Sequence, residues 1–183
     1  MKRIVIALVL LGLACVLSGL YGMIHNQVSF SILQEYFTRF KFSQFEIPRG
    51  LRSRFGASVV GWLASWWMGI AVGVFLIPFG MLLRNNKAFV VAVLKSFAVV
   101  LGTTMIVGST ALLIALGVIR PILDEPWIFK GQVIDDSASF RQVAVLHTFS
   151  YVGGILGICT GMASILRSFL TENKRLNLHQ NEV

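Results

Sequence analysis

A histidine, a serine and a tyrosine stand at His147, Ser150 and Tyr151, at positions i, i+3 and i+4. On a helix these share one face. A second histidine, His25, closes the first apolar run and is expected at similar depth. Two imidazoles between helices have the donor type for a metal, or for a haem held edge-on. The competing reading is structural. Each ring then satisfies a backbone carbonyl or a loop carboxylate, because a buried polar group must be bonded whatever its role. Two histidines are a thin donor set, so we adopt the structural reading. No catalytic residue, metal ligand or cofactor is assigned.

Other chemistry is harder still to find. The chain has no GxxxxGK[ST] phosphate loop and no HExxH, and no Ser-His-Asp arrangement is defensible in its short loops. Cys15 and Cys159 stand singly inside apolar runs, without the CxxC of thiol-oxidising membrane proteins. Leu13-Ala14-Cys15 has the look of a lipidation site, but Gly12 stands where a bulky aliphatic is needed. Cys15 is read as a small packing residue. The acids of 120–141, Asp124, Glu125, Asp135 and Asp136, come in adjacent pairs and lack the spacing of a calcium loop.

The elements that must position these residues are membrane spans. Of 183 residues, 56% are hydrophobic and only 13% charged, with mean hydropathy +0.77, too few charges for the surface of a soluble domain. The net charge of +8 would raise nucleic acid for a soluble chain, but the cations flank apolar runs, as headgroup anchors and topology signals do. No nucleic-acid partner is expected. Ile4 to Ile24 carries no charge over 21 residues, enough to cross a bilayer as a retained first span. Its apolar run is longer than the core of a usual cleaved signal.

Three more spans follow, giving about 4–24, 58–83, 88–119 and 142–166 in a single integral membrane domain. The fold class expected is all-α: a four-transmembrane-helix bundle under a short strand/helix extracytoplasmic cap. Pro78 is placed to kink the second span, and Arg84-Asn85-Asn86-Lys87 makes a tight turn to the third. Lys95 interrupts the third run and is expected to snorkel to the interface. Thr103, Thr104, Ser109 and Thr110 are expected to bond their own helix carbonyls. Gly61, Ser65, Gly69 and Gly73 repeat a four-residue step in the second span, and Gly153, Gly157 and Gly161 repeat it in the fourth. Such steps let backbones approach closely, so these two spans are expected to pack on each other through their glycines.

The loop 25–57 is expected outside the membrane. QVSFSI (27–32) alternates and predicts a short strand. Ser31 and Gln34 form a possible capping box for a short surface helix through Phe45. Tyr36, Phe37, Arg39, Phe40, Lys41 and Phe42 mix rings and cations, as a cap folded on the bundle or a lipid- or partner-contacting surface would. The second loop, 120–141, is broken by Pro121 and Pro126, and Asp136 or Ser137 is an N-cap for the fourth span. The tail, 167–183, is expected to fray. Basic residues divide eight and eight between the two sides and do not orient the chain. The Met-Lys-Arg start does, placing both termini in the cytoplasm.

Two stretches, QVSFSILQEYFTRFKFSQF (27–45) and FRQVAVLHTFSYVGGILGICTG (140–161), resemble the signatures of a family of small, uncharacterised bacterial membrane proteins. The patterns are of the types QxSxxxxxEYFxxFKFxQF and FxxVxxxHxxSYxGGxxG. Relatives often carry Ser-Pro where this chain has Leu33-Gln34. The resemblance implies a four-span inner-membrane protein and supplies no substrate, cofactor or catalytic residue. Three function classes follow. The first is a non-catalytic component, accessory or envelope partner-binding, whose partners are the bilayer and a membrane protein or further copies of itself. The second is a small oligomeric transporter or channel, with Thr103, Ser109 and Thr110 as its only candidate path. The third is a haem- or quinone-linked redox protein using His25 and His147.

Overall fold

A computed structural model describes residues 1–118 and 127–181. Asp124, Glu125, Pro121 and Pro126, and the side chains of Trp127, Arg175, Leu176 and residues 178–181, lie outside what is described. Four helices are long and apolar enough to cross a membrane: α1 (Lys2–Ile32), α3 (Arg54–Gly80), α4 (Asn86–Val118) and α5 (Ser137–Asn181). The chain is an all-α, multi-pass membrane protein with a four-helix bundle. Between α1 and α3 lie a π-helical turn (Tyr36–Lys41), the one-turn α2 (Phe42–Gln44) and a 3-10 turn (Arg49–Leu51). Between α4 and α5 lies a hairpin, β1 (Trp127–Phe129) and β2 (Gln132–Ile134), with Phe129 opposite Gln132. Lys130 and Gly131 join the strands with φ of 50° and 77°, the double left-handed turn that suits strand twist.

The predicted strand at 27–32 is helix. Alternation places Val28, Phe30 and Ile32 on one side, but Val28 is exposed while Asn26, Ser29 and Phe30 are buried. That is helical spacing, and polar partners enforce it. Asn26 Nδ2 donates to Ala57 O at 3.0 Å, and Gln27 Nε2 donates to Ser58 Oγ at 2.7 Å and Arg54 O at 2.9 Å. These bonds require α1 to run beside the start of α3 for two turns past Ile24. Ser31 therefore sits inside α1 and donates to Gln27 O rather than forming a box with Gln34. The expected tail is also helical, as α5 continues to Asn181. Asp136 is the N-cap of α5, its Oδ1 accepting from Ser139 N at 2.9 Å.

The glycine steps pack, but not on each other. A methyl on Gly61 would meet Gly22 and Met23 of α1, on Gly69 Ala14 and Cys15, and on Gly73 Leu11. A methyl on Gly153 would meet Thr104 of α4, and one on Gly157 would meet Val100. So α3 packs on α1 and α5 packs on α4, and the bundle is two close pairs. Ser65 fits the same scheme against Gly22, whereas Gly161 faces both Val100 of α4 and the Leu76 side chain of α3. The periodicity of a small-residue stripe says that a helix is approached closely; it does not say by which helix.

At the turn end of the bundle, Arg3 binds the α3–α4 connection. Its guanidinium donates to Met81 O at 3.2 Å, Leu83 O at 2.8 Å, Arg84 O and Asn86 Oδ1. The three backbone carbonyls belong to the α3–α4 connection beyond Gly80, and the fourth acceptor is the Asn86 side chain. A residue read as a topology signal thus holds this turn together from another helix. We expect Arg3→Ala to cost about 1–2 kcal/mol, a drop of roughly 2–8 °C in the unfolding midpoint in detergent. Lysine should not restore it, since a point charge cannot fork across several carbonyls.

Two apolar clusters fill the interior. One, around Leu76, Phe89, Val93 and Ile165, lies toward the Arg3 end. The other, around Phe37, Phe42, Val60, Ile134, Phe140 and Val143, lies under the cap. Lys95 is exposed on α4, as snorkelling requires.

Candidate functional site beneath the cap

Between the two clusters the helices carry polar groups. Ser18, Tyr21, His25 and Asn26 come from α1, Ala64, Ser65 and Met68 from α3, Thr104 from α4, and His147, Ser150 and Tyr151 from α5, around a cavity of about 70 Å³. His25 and His147 do meet. Their ring centroids are 4.7 Å apart with planes at 85°, one edge toward the other's face. The Nε2 atoms of both rings are buried and without a hydrogen-bond partner.

Ser150 organises the rest. Its hydroxyl donates to Leu146 O at 2.9 Å, and Tyr21 OH donates to it at 3.2 Å. His25 Nδ1 lies 3.4 Å from the same oxygen. A hydroxyl has one proton, here committed to Leu146, so the imidazole must be the donor in that contact. His25 is then the Nδ1–H tautomer, and its Nε2 is a bare lone pair. Tyr21 went unremarked in the sequence, although it stands four residues before His25 and so shares its face. Tyr151 turns outward, stacking on Trp67 at 6.3 Å and donating to Ala64 O at 3.4 Å.

The cap closes over His147. Tyr36 stacks on the imidazole at 5.1 Å and 24°, and Phe37 approaches at 6.4 Å. Histidine and cap meet through ring faces, where a hydrogen bond was expected. Glu35 supplies the hydrogen bonds: its carboxylate accepts from Asp135 N and Asp136 N at 3.2–3.3 Å, tying the π-helical turn to the start of α5. Arg39 lies 3.6 Å from Glu35 and 4.0 Å from Asp135. Of the residues proposed as a partner surface, Tyr36, Phe37 and Phe42 are instead the core of the cap, at 4%, 0% and 0% exposure. On the other side of this run Arg39 is exposed, while Phe40 and Lys41 are half-buried.

Burial, with the Tyr151 phenol a lesser influence, raises the Tyr36 phenol above its usual range, so it stays neutral. Burial, and after it the Lys130 ammonium, lowers the Lys41 amine. Both lysines crowd one ring: Lys41 Nζ is 4.7 Å and Lys130 Nζ 4.9 Å from the Phe40 centroid.

The geometry bears on the cofactors considered. Axial imidazoles on one iron hold their centroids about 6 Å apart, from metal–nitrogen distances of about 2.0 Å. At 4.7 Å and edge to face, this pair leaves no room for a macrocycle. A quinone ring does not fit either, since a void of about 150 Å³ is what benzene fills and this one is about 70 Å³. Among the described residues no three His, Cys, Asp or Glu converge as metal ligands. No family model, curated protein or solved structure matches the chain.

Proposed function

We propose that this chain is a non-catalytic component of a bacterial inner membrane, with both termini cytoplasmic, whose extracytoplasmic cap docks a membrane-protein partner. The observation that carries this is the construction of the cap. Its inner face is locked by Tyr36 on His147 and by Glu35 on the start of α5. Its outer side sets Phe40 between Lys41 and Lys130, and the other face of the hairpin exposes Ile128 and Val133, which oppose each other. Next to it an aromatic groove of about 340 Å³ runs along Phe129, Phe140 and Phe149. Exposed apolar side chains beside cations, with half-buried rings behind them, are the composition of a docking site. The two stretches that resemble the uncharacterised bacterial family lie far apart in the sequence, and they meet here through Tyr36 against Phe140 and His147.

The transporter reading has less support. Ser109 and Thr110 are exposed on the outside of the bundle, Thr103 pairs with Thr160 at 3.1 Å, and Thr104 donates to Val100 O.

Two measurements test the proposal. A photo-crosslinking residue at Val133 or Phe149 should give one discrete protein adduct in cells, weakened several-fold by Lys41→Glu with Lys130→Glu. Adducts to lipid alone would refute partner docking. For orientation, cysteines at Ser43 and Gln132, both exposed, should react with an impermeant thiol reagent while one at Asn86 does not. Ser137 is buried and unsuitable for labelling. The opposite labelling pattern would invert the topology.

A further inference from the structure

A second feature lies at the other end of the bundle, remote from the cap. α4 and α5 run antiparallel and touch closely on one side, where Ser96 Oγ donates to Gly161 O at 3.1 Å and Gly157 lies against Val100. On the outer side they leave a groove of about 1030 Å³. Its α4 wall is apolar, with Ala88, Ala92 and Val99, its α5 wall sets Ala163 between the polar Thr160 and Ser164, and Lys95 and Arg167 line it as well. Thr103 and Thr160 meet at one end. At the other end Glu172 is engaged, its carboxylate accepting from Arg84 N at 3.2 Å.

The two cations converge. The contact of Ser96 with Gly161 sets Lys95 level with residue 162, so Arg167 lies five residues, about 7.5 Å, further toward the turn end. Helical side chains lean toward their own N-terminus. In an antiparallel pair Lys95 therefore leans toward the turn end and Arg167 leans back toward Lys95. Among the described residues neither side chain makes a hydrogen bond or ion pair. Two cations brought together on a lipid-facing surface with no protein anion between them call for an anion from outside.

The walls say which kind. From Ala88 to Val99 the groove is about 17 Å long, and its α4 wall is apolar apart from Lys95, so that wall accepts hydrocarbon. We propose that the α4–α5 groove binds an anionic phospholipid, its phosphate between Lys95 and Arg167 and one acyl chain running from Ala163 past Val99, away from the turn end. A free phosphate would use the cations and gain nothing from the α4 wall.

Native mass spectrometry of the full chain, delipidated and titrated with phosphatidylglycerol, phosphatidylcholine or inorganic phosphate, tests this. We expect one phosphatidylglycerol held at least ten-fold more tightly than phosphatidylcholine. Lys95→Gln with Arg167→Gln should erase that preference. Ala163→Trp, at an exposed position, should weaken both lipids by blocking the groove while leaving the charges in place. Equal affinity for the two lipids, or a preference that survives the double glutamine variant, would overturn the proposal. So would displacement of the lipid by millimolar phosphate, which would assign the cations to a soluble anion.

Discussion

Gly69→Leu and Gly61→Leu are expected to prevent the bundle from forming, and even alanine should be costly at either site. The atoms that a methyl on Gly69 would meet are Cys15 Cα and N and Ala14 C. Those around Gly61 are the Gly22 carbonyl and Met23 N. All are backbone, so no rotamer change relieves the clash and α1 must move away from α3. Alanine should then reach the upper part of the usual 1–3 kcal/mol for overpacking, and leucine should exceed it. Gly157 is less tight. Its methyl would lie 3.0 Å from Val100 Cγ1 and O and 3.1 Å from Val100 Cα, so alanine there should cost about 1 kcal/mol and leucine roughly 1–3. Gly102 is the control, because nothing lies within 4 Å of an added methyl. Gly102→Ala should be neutral, or stabilising by up to about 1 kcal/mol through helix propensity. Reversible unfolding in mixed micelles measures the series. Equal stability of Gly69→Ala and Gly102→Ala would mean that α1 and α3 are not in backbone contact.

His147→Ala should open the cap without preventing membrane insertion. The imidazole is the surface on which Tyr36 stacks and against which His25 and Phe37 pack. Truncation leaves a void continuous with the existing cavity, and loss of a buried ring costs about 2–4 kcal/mol at such a site. That loss falls mainly on residues 33–53, whose inner face rests on the ring, so limited proteolysis there should accelerate at least ten-fold. His147→Phe separates two roles of the same side chain. Phenylalanine keeps the stacking face and removes the partnerless Nε2, so cap protection should return to the wild-type level or better. If instead phenylalanine leaves the cap as open as alanine does, the nitrogen is the anchor and the ring face is incidental. Wild type should carry no haem absorbance, and a Soret band lost in His147→Ala would replace the structural role with a redox one.

The four helices were legible because bilayer thickness imposes a length of apolar chain that few soluble segments match. Asp136 was legible as an N-cap because its partner, Ser139 N, is three residues away. Local rules failed where a distant partner decided. The alternation of 27–32 is a property of six residues, whereas Asn26 and Gln27 are bound by Ala57, Arg54 and Ser58. The hairpin at 127–134 went unread because its only signal is Lys130-Gly131 between two short apolar pieces, and Ile134 is fixed by burial in the cap rather than by propensity.

What the sequence determined by itself is a four-span chain with an aromatic cap, two small-residue stripes and a pair of histidines at one depth. Periodicity and composition carry these, since they are properties of single elements. What the tertiary structure alone decided is every pairing. It set α1 on α3 and α5 on α4, His25 edge-on to His147, Tyr36 over that ring, and Lys95 and Arg167 along one groove. A helix face records that something packs on it, but its partner is chosen by the shapes of all four helices together. The site beneath the cap exists only once that choice is made.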